Sequence, residues 1–472
     1  MNILSLILLF LFLSCPGITF SDETQSLDDV ISGFEDNSSP TDIDTLSDQF
    51  DNESYQVNTV LSTTEKNAQT FDYSFLFKLS SVFNIAHHSP QEGRTDHRGL
   101  SRFRGESTIK FNLKFSNTWK AKICAQSAYD FSYDINGRDQ YTKDVLNENE
   151  SENELHETYI QGSLSPQLDL WFGRQIVAWG ASETFRIVDV INPIDNREFG
   201  MVDIEDLRIP VVLTQLNYYV GKWKLSGILI HEHRKLKNPP YGNDYYLSDF
   251  PFPDEIVPAN TLRNTRFAAA LTGRFEGWDI SFHAAQYDKH LLSPEITSTG
   301  NIQAKRIPLT MIGTTLAVAY GNWLIKSEIA GTYGHIFLNT PETKKYSMEG
   351  MLGFEYSGFK DTNISFEMMN QHIFDHSDRL LLSPDLIKED TVQSAFRFSR
   401  FFLNEKLSLN LLLFLYGLSG KHGTLQRLSL EYDLNDDMNI NIGSCLYQTG
   451  KSYIFKKIQD NDRVFLDIQY SF

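Results

Sequence analysis

The chain has 472 residues, a formal net charge of −19 and hydrophobic residues at 41%, of which 13 percentage points are aromatic. A strongly acidic balance with no clustered basic stripe argues against nucleic acid as a partner. Beyond the N-terminus no run of about 18 apolar residues occurs, which excludes a transmembrane helix, while the excess of Phe (34) and Tyr (21) over Trp (6) suits strands with one apolar and one wet face.

Residues 3–13 form an apolar run too short to span a bilayer. Small residues follow, and cleavage after Thr19-Phe20-Ser21 makes residues 1–21 a signal peptide. Phe12-Leu13-Ser14-Cys15 is a poor lipoprotein cleavage site, so Cys15 reads as part of the removed peptide. Cys124 and Cys445 remain; their strands are not sequence neighbours, and both are expected as free, buried thiols.

Residues 22–64 hold eleven Asp and Glu and no Lys or Arg. Such composition predicts a largely disordered leader over 22–70, on the periplasmic side of a membrane. Leu27, Val30, Ile31 and Phe34 have helical spacing, so a short helix over 27–34 is one reading. It would dock a periplasmic partner or plug a barrel mouth; the other reading is a solvated tail with a few apolar residues.

From Phe71 onward two-faced segments alternate with turns. Ile109, Phe111, Leu113 and Phe115 oppose Lys110, Asn112 and Lys114; Leu428, Leu430 and Tyr432 oppose Arg427, Ser429, Glu431 and Asp433. Tight turns at 116–118, 221–222, 276–277, 321–322, 358–363, 404–405 and 435–437 alternate with longer polar stretches around 88–99, 134–154, 177–208, 234–262, 289–305, 338–343, 375–390, 419–425 and 449–461. Short turns on one rim and long loops on the other predict a transmembrane antiparallel β-barrel over 71–472, of about eighteen strands and within roughly sixteen to twenty. Even parity places both termini at the short-turn, periplasmic rim.

Trp119, Trp223, Trp278 and Trp323 each follow a tight turn directly, as a periplasmic aromatic girdle at the headgroup level requires. The chain closes on Val464, Leu466, Ile468, Tyr470 and Phe472 on one face of a strand. That ending resembles the C-terminal assembly signal of bacterial outer-membrane barrels, with Tyr470 and Phe472 as its aromatic residues. The expected partners are therefore outer-membrane lipid and the barrel-assembly machinery.

The most unusual segment is Gly173-Arg174-Gln175, then Trp179-Gly180, then Asn192-Pro193-Ile194-Asp195. Over roughly 167–200 it resembles poorly characterised Gram-negative porin-like outer-membrane proteins, in which this segment follows an early strand. The resemblance implies a barrel with the segment at or inside its mouth, passing or exporting small or hydrophobic compounds. Physically, Arg174, Arg186, Asp189, Asp195, Arg197 and Glu198 supply opposed charges close in sequence, on or just before a loop over 177–208, which folded inward would constrict a channel. The competing reading is that these charges pair with each other and simply hold the loop.

By phase, Arg102, Arg104, Glu106, Lys110 and Lys114 face inward, as do Lys326 with Glu328, Arg397, Arg427 with Glu431, and Arg463 with Asp467. Each reads individually as a solvated wall residue, and together they predict a hydrated lumen. Leu412, Phe414 and Tyr416, inward by phase, are the hint of an apolar path. A Ca²⁺ site at Asp189, Asn192 and Asp195 is set aside for its interposed Pro and lack of a compact ligand loop, and His231 and His233, which share a strand face at the outer rim and could bind a metal weakly, read as a polar loop base. No catalytic, cofactor or metal site is expected. The expected function is passage of an unknown small solute; the alternative is a non-conducting receptor, adhesin or export-assembly component. The polar leader is too short for the folded plug of a TonB-dependent transporter.

Overall fold

A computed structural model describes residues 71–472 apart from 204–205, 254, 289–292, 297–301 and 384. The signal peptide (1–21), Cys15, the acidic leader (22–70) and its helix at 27–34 lie outside the described residues. Eighteen strands form one closed antiparallel sheet. They are β1 (Phe71–Asn84), β2 (Gly99–Lys114), β3 (Trp119–Asp130), β4 (Ser151–Ser165), β5 (Leu168–Gln175), β6 (Val211–Val220), β7 (Trp223–Ile230), β8 (Arg266–Phe275) and β9 (Trp278–Asp288). The second half comprises β10 (Pro308–Tyr320), β11 (Trp323–Phe337), β12 (Thr340–Phe359), β13 (Thr362–Ile373), β14 (Asp390–Phe402), β15 (Leu407–Tyr416), β16 (Gly423–Asn435), β17 (Met438–Gln448) and β18 (Arg463–Ser471).

Each strand pairs with its sequence neighbours, and β1 pairs with β18 from Leu76 opposite Ser471 to Asn84 opposite Arg463. Closure leaves no strand edge, which is the only way a sheet satisfies its backbone in hydrocarbon. Side-chain alternation follows the pleat. On β11, Lys326, Glu328 and Ala330 are 4%, 1% and 1% exposed, while Ile325 and Ile329 are 37% and 43% exposed. The apolar phase is outside and the charged phase inside, as a lipid-facing wall demands.

The rims follow the expected asymmetry. One carries short connections, with Gly221 and Gly321 both at φ 57°, a left-handed backbone that glycine adopts without strain. Both chain ends of the barrel, Phe71 and Phe472, lie at this rim. Two connections differ from expectation. Pro166-Gln167 forms a tight turn between β4 and β5 that no glycine or asparagine signals, and the expected polar loop at 338–343 is a two-residue connection, Leu338-Asn339, between long strands. Asp385 explains the second: its carboxylate accepts the backbone N–H groups of Leu338 (3.0 Å) and Asn339 (2.7 Å) and holds the turn from outside.

The main apolar core sits inside the barrel. Val177, Phe185, Ile187, Val188, Ile191 and Met201 from the long connection between β5 and β6 are buried against wall residues including Leu213, Met311, Met351 and Phe414. Phe465, the apolar residue on the inward phase of β18, belongs to the same cluster. Cys124 and Cys445 are buried free thiols, as expected.

The β1–β18 seam includes a backbone pair between Phe75 and Phe472, with N–H to O distances of 2.9 and 3.0 Å in the two directions, and the two rings lie 5.4 Å apart. Removing Tyr470-Ser471-Phe472 is expected to abolish the compact, heat-modifiable band of the refolded chain on a gel. A band equal to the parent's would contradict a closing role for these residues.

Candidate functional site

The connection 176–210 leaves β5 and turns into the lumen, and Asn192 ties its two ends together. The Asn192 side chain accepts the Val177 N–H at 2.8 Å and donates to the carbonyls of Gln175 (3.2 Å) and Ile209 (3.0 Å). Pro193 follows and its carbonyl accepts the Ile209 N–H at 2.7 Å. The Asn-Pro dipeptide is thus the clasp at the neck of the loop, and Asn192 is fully buried with its amide satisfied.

Beyond the clasp the loop crosses to the far wall, where two carboxylates receive its backbone. Glu328 of β11 accepts N–H groups from Ala181 (2.5 Å), Ser182 (2.9 Å) and Val188 (3.4 Å). Glu367 of β13 accepts from the Ser182 hydroxyl (2.8 Å) and from the Glu183 (3.0 Å) and Thr184 (3.1 Å) N–H groups. Gly180 makes this approach feasible: its φ is 96°, and a Cβ there would stand 2.6 Å from the Glu328 carboxylate. Lys326 pairs with Glu183 and, at 2.8 Å, with Glu355. Arg397 donates to the Glu183 carbonyl at 2.8 Å, and Asp203 bridges Arg397 (3.2 Å) and Arg427 (3.0 Å). Burial pushes the Asp203 carboxyl up, but Arg427 and Arg397 outweigh it and hold the group below its usual range.

On the near side the loop is held close to the long-loop rim. Arg197 pairs with Asp195 and, at 2.8 Å, with Glu152 of β4; Lys237 also reaches Glu152, and Glu198 pairs with Arg102 of β2. A second inward contact comes from the connection 231–265. Its Asp244 pairs with Arg463 at 2.9 Å, the Arg463 guanidinium lies 4.5 Å from the centre of the Tyr245 ring, and the Tyr245 and Tyr447 hydroxyls are 2.6 Å apart. The Tyr447 hydroxyl donates in turn to the Phe199 carbonyl at 2.5 Å. Burial alone would raise the Asp244 carboxyl, but Arg463, with His97 and His87, holds it at about 2.

The expected constriction residues divide. Arg186 meets Asp189 at 3.0 Å, which also receives Arg208 at 2.9 Å, and Asp195, Arg197 and Glu198 join the near-side network. All of these are ion-paired inside the barrel. Arg174 departs from the expectation. It is directly opposite Val212, whose neighbours Val211 and Leu213 are the inward residues of β6, so Arg174 lies on the outward phase. There it pairs with Glu232 at 2.5 Å and donates to the Leu155 carbonyl at 2.7 Å. Asp189 Oδ2 and both Asp195 oxygens face guanidinium groups, and Asn192 Oδ1 accepts a backbone N–H. His231 bonds the Thr214 hydroxyl (2.9 Å), whereas His233 turns to Asp288 (2.5 Å) and the Asn264 carbonyl (2.9 Å).

Two wall expectations change. Lys326, Glu328 and Arg463 are not solvated wall residues but are buried under loop segments. Leu412, Phe414 and Tyr416 form no open apolar path: Phe185 and Phe199 lie 5.7 and 6.4 Å from Phe414, and Phe455 lies 5.1 Å from Tyr416. Sequence reasoning passed over Glu367 and Asp203. The signal for Glu367 is a carboxylate on the inward phase of a largely apolar run, Ile364-Ser-Phe-Glu-Met-Met369; nothing local marks Asp203. The four tryptophans Trp119, Trp223, Trp278 and Trp323 each begin a strand, on the outward phase. Phe275 stacks on Trp278 at 4.3 Å and meets Trp223 edge-on at 5.5 Å, while Trp323 lies 4.6 Å from Tyr356. Tyr470 and Phe472 also face outward, their rings 6.1 Å apart.

The family described as protein of unknown function (DUF1302) matches residues 50–472. No curated protein matches the chain. Among solved structures, the fold is similar to Acinetobacter baumannii OccAB1, at 8% identity and a TM-score of 0.51, covering 86% of this chain and 97% of that one. A. baumannii OccAB4 is similar at 11% identity and a TM-score of 0.51, with 85% and 98% covered. Pseudomonas aeruginosa OpdK, solved with vanillate, is similar at 9% identity and a TM-score of 0.50, again with 85% and 98% covered. These likenesses establish an outer-membrane barrel fold.

Glu328→Ala strands the N–H groups of Ala181, Ser182 and Val188, at a cost of about 2 kcal/mol, or roughly thirty-fold in the opening of the loop. Trypsin cleavage at Arg186 in the folded barrel should accelerate accordingly, and cleavage at the parent rate would contradict the anchoring role. The Asp244–Arg463 pair gives a pH dependence. A carboxyl held at about 2, against an ordinary value near 3.9, contributes stability that is present above about pH 4 and is lost as pH falls toward 2. The gap in unfolding temperature between the parent and Asp244→Asn should therefore narrow across that window. A gap independent of pH would overturn the assignment.

Proposed function

Because the chain belongs to the family described as protein of unknown function (DUF1302), whose description names no activity, we propose its function from the lumen. The barrel acts as an outer-membrane channel for diffusion or export of small solutes, and the loop 176–210 sets the width and charge of the passage. One observation carries this reading: the loop covers the lumen unevenly. On the far wall it descends to Lys326, only three positions above Trp323 at the short-turn rim. On the near wall it stays at Arg102, which is three positions from the opposite end of β2. The lower inward faces of β2, β3 and β4 are left partly exposed, with Lys110, Lys122, Glu157 and Gln161 lining them. A diagonal partition of this kind leaves a polar route along one wall and narrows it by charged groups.

In this reading the short-turn rim, with Phe71 and Phe472, is periplasmic, and the acidic leader starts from that side. The tryptophans at the same rim sit at the headgroup level. A second reading, a barrel closed at rest, is favoured by the aromatic cluster of Phe185, Phe199, Phe414 and Phe455 on the upper side of the loop.

Conductance in a planar bilayer separates the two. The refolded mature chain is expected to open in discrete steps, and a variant with residues 178–206 replaced by a short Gly-Ser linker should conduct severalfold more. A silent parent beside a conducting variant supports the closed reading. Equal conductance in both contradicts a constricting loop.

A further inference from the structure

Two inward faces of the barrel carry opposite charge. The wall of β11, β12 and β13 presents Glu328, Glu349, Glu355 and Glu367 against two lysines, Lys326 and, toward the long-loop end of β12, Lys345. Seven strands or more around the barrel, the inward phase of β2 and β3 presents Lys110, Lys114, Lys120 and Lys122. Register places these four together: Lys110 is opposite Cys124, Asn112 opposite Lys122, and Lys114 opposite Lys120. Thr108, 4% exposed and two positions before Lys110, sets the inward phase, while Ile109 and Phe115 point outward.

The counter-charge is short. Lys122 pairs with Glu157 at 2.6 Å. Among the described residues no carboxylate forms an ion pair with Lys110, Lys114 or Lys120. Lys114 and Lys120 face each other directly, and like charges so placed repel. Elsewhere in this lumen the arrangement is different: Arg102, Arg104, Arg186, Arg197, Arg397, Arg427 and Arg463 each meet a carboxylate. The unmatched cations are the ones on the stretch of wall the loop leaves uncovered, so a solute entering from the short-turn rim meets them first.

We infer that the short-turn side of the lumen is an anion-binding vestibule, in which Lys110, Lys114, Lys120 and Lys122 hold the carboxylate or phosphate groups of a small solute before it passes the loop. The lysines act as point charges on flexible stems, which suits anions of varied shape rather than one geometry. This assignment of solute class rests on the channel reading, but binding is measurable without transport.

The probe is citrate, titrated calorimetrically into the detergent-folded mature chain at about 10 mM ionic strength, where the Debye length is about 30 Å. The parent is expected to bind it saturably. Lys110→Gln/Lys114→Gln/Lys120→Gln should lose at least about tenfold in affinity, whereas Lys114→Arg/Lys120→Arg and the turn variant Lys360→Gln should retain it. Absence of binding by the parent, or equal binding by the Gln variant with its heat-modifiable band intact, overturns the inference. Inorganic phosphate in a second titration distinguishes a general anion site from one requiring several carboxylates. Conductance is scored separately. A conducting barrel that ignores citrate removes the vestibule and leaves the channel, while a silent barrel whose citrate binding depends on the three lysines removes the channel and leaves the vestibule.

Discussion

The structure depends on two buried carboxylates that take the place of water for a loop inside a membrane barrel. Irregular backbone is tolerated at membrane depth only where protein or a wet cavity satisfies its polar groups. Glu328 and Glu367 do this for residues 181–188, accepting five backbone N–H groups and one hydroxyl between them. A buried charge is costly unless it is paired or hydrogen-bonded. Here the donors of the loop stabilise the carboxylates and the carboxylates fix the path of the loop. Each stabilises the other.

From that anchor the rest of the lumen follows. With 181–184 fixed on β11 and β13, the return of the chain brings Asp203 to Arg397 and Arg427, and 195–198 to Glu152 and Arg102. The loop therefore runs obliquely, low on the acidic wall and high on the basic one. Arg102, Glu152, Lys326, Glu328, Glu367, Arg397 and Arg427 are the wall charges spent on holding it. Those of β2 and β3 below the loop are not, and charge without a partner on an accessible wall is what remains to act on a solute.

The sequence made the barrel legible because strand pairing is local: each strand meets the next, so alternation, short turns and final aromatic phase suffice to read the topology. It also marked 177–208 as exceptional. What it did not show is which partner each charge finds. Ala181 and Glu328 are 147 residues apart, and Arg397 and the Glu183 carbonyl 214 apart. Inward phase alone does not distinguish a solvated wall residue such as Lys114 from a buried anchor such as Lys326. Arg174 lies apart from the loop charges for a related reason. It stands next to Gly173 and Gln175 in a motif that suggests a site, yet the strand continues through Gln175, and its pleat turns Arg174 outward. Asn192 shows the reverse: a residue that stands out only as part of the Asn192-Pro193-Ile194-Asp195 pattern is the clasp of the whole loop.

The most direct test of the docked loop is amide hydrogen exchange in the folded chain, read at Ala181, Ser182, Glu183, Thr184 and Val188. Docking on Glu328 and Glu367 predicts exchange as slow as that of β11 itself. Exchange at these five amides as fast as in the exposed connection around 449–452 would contradict it.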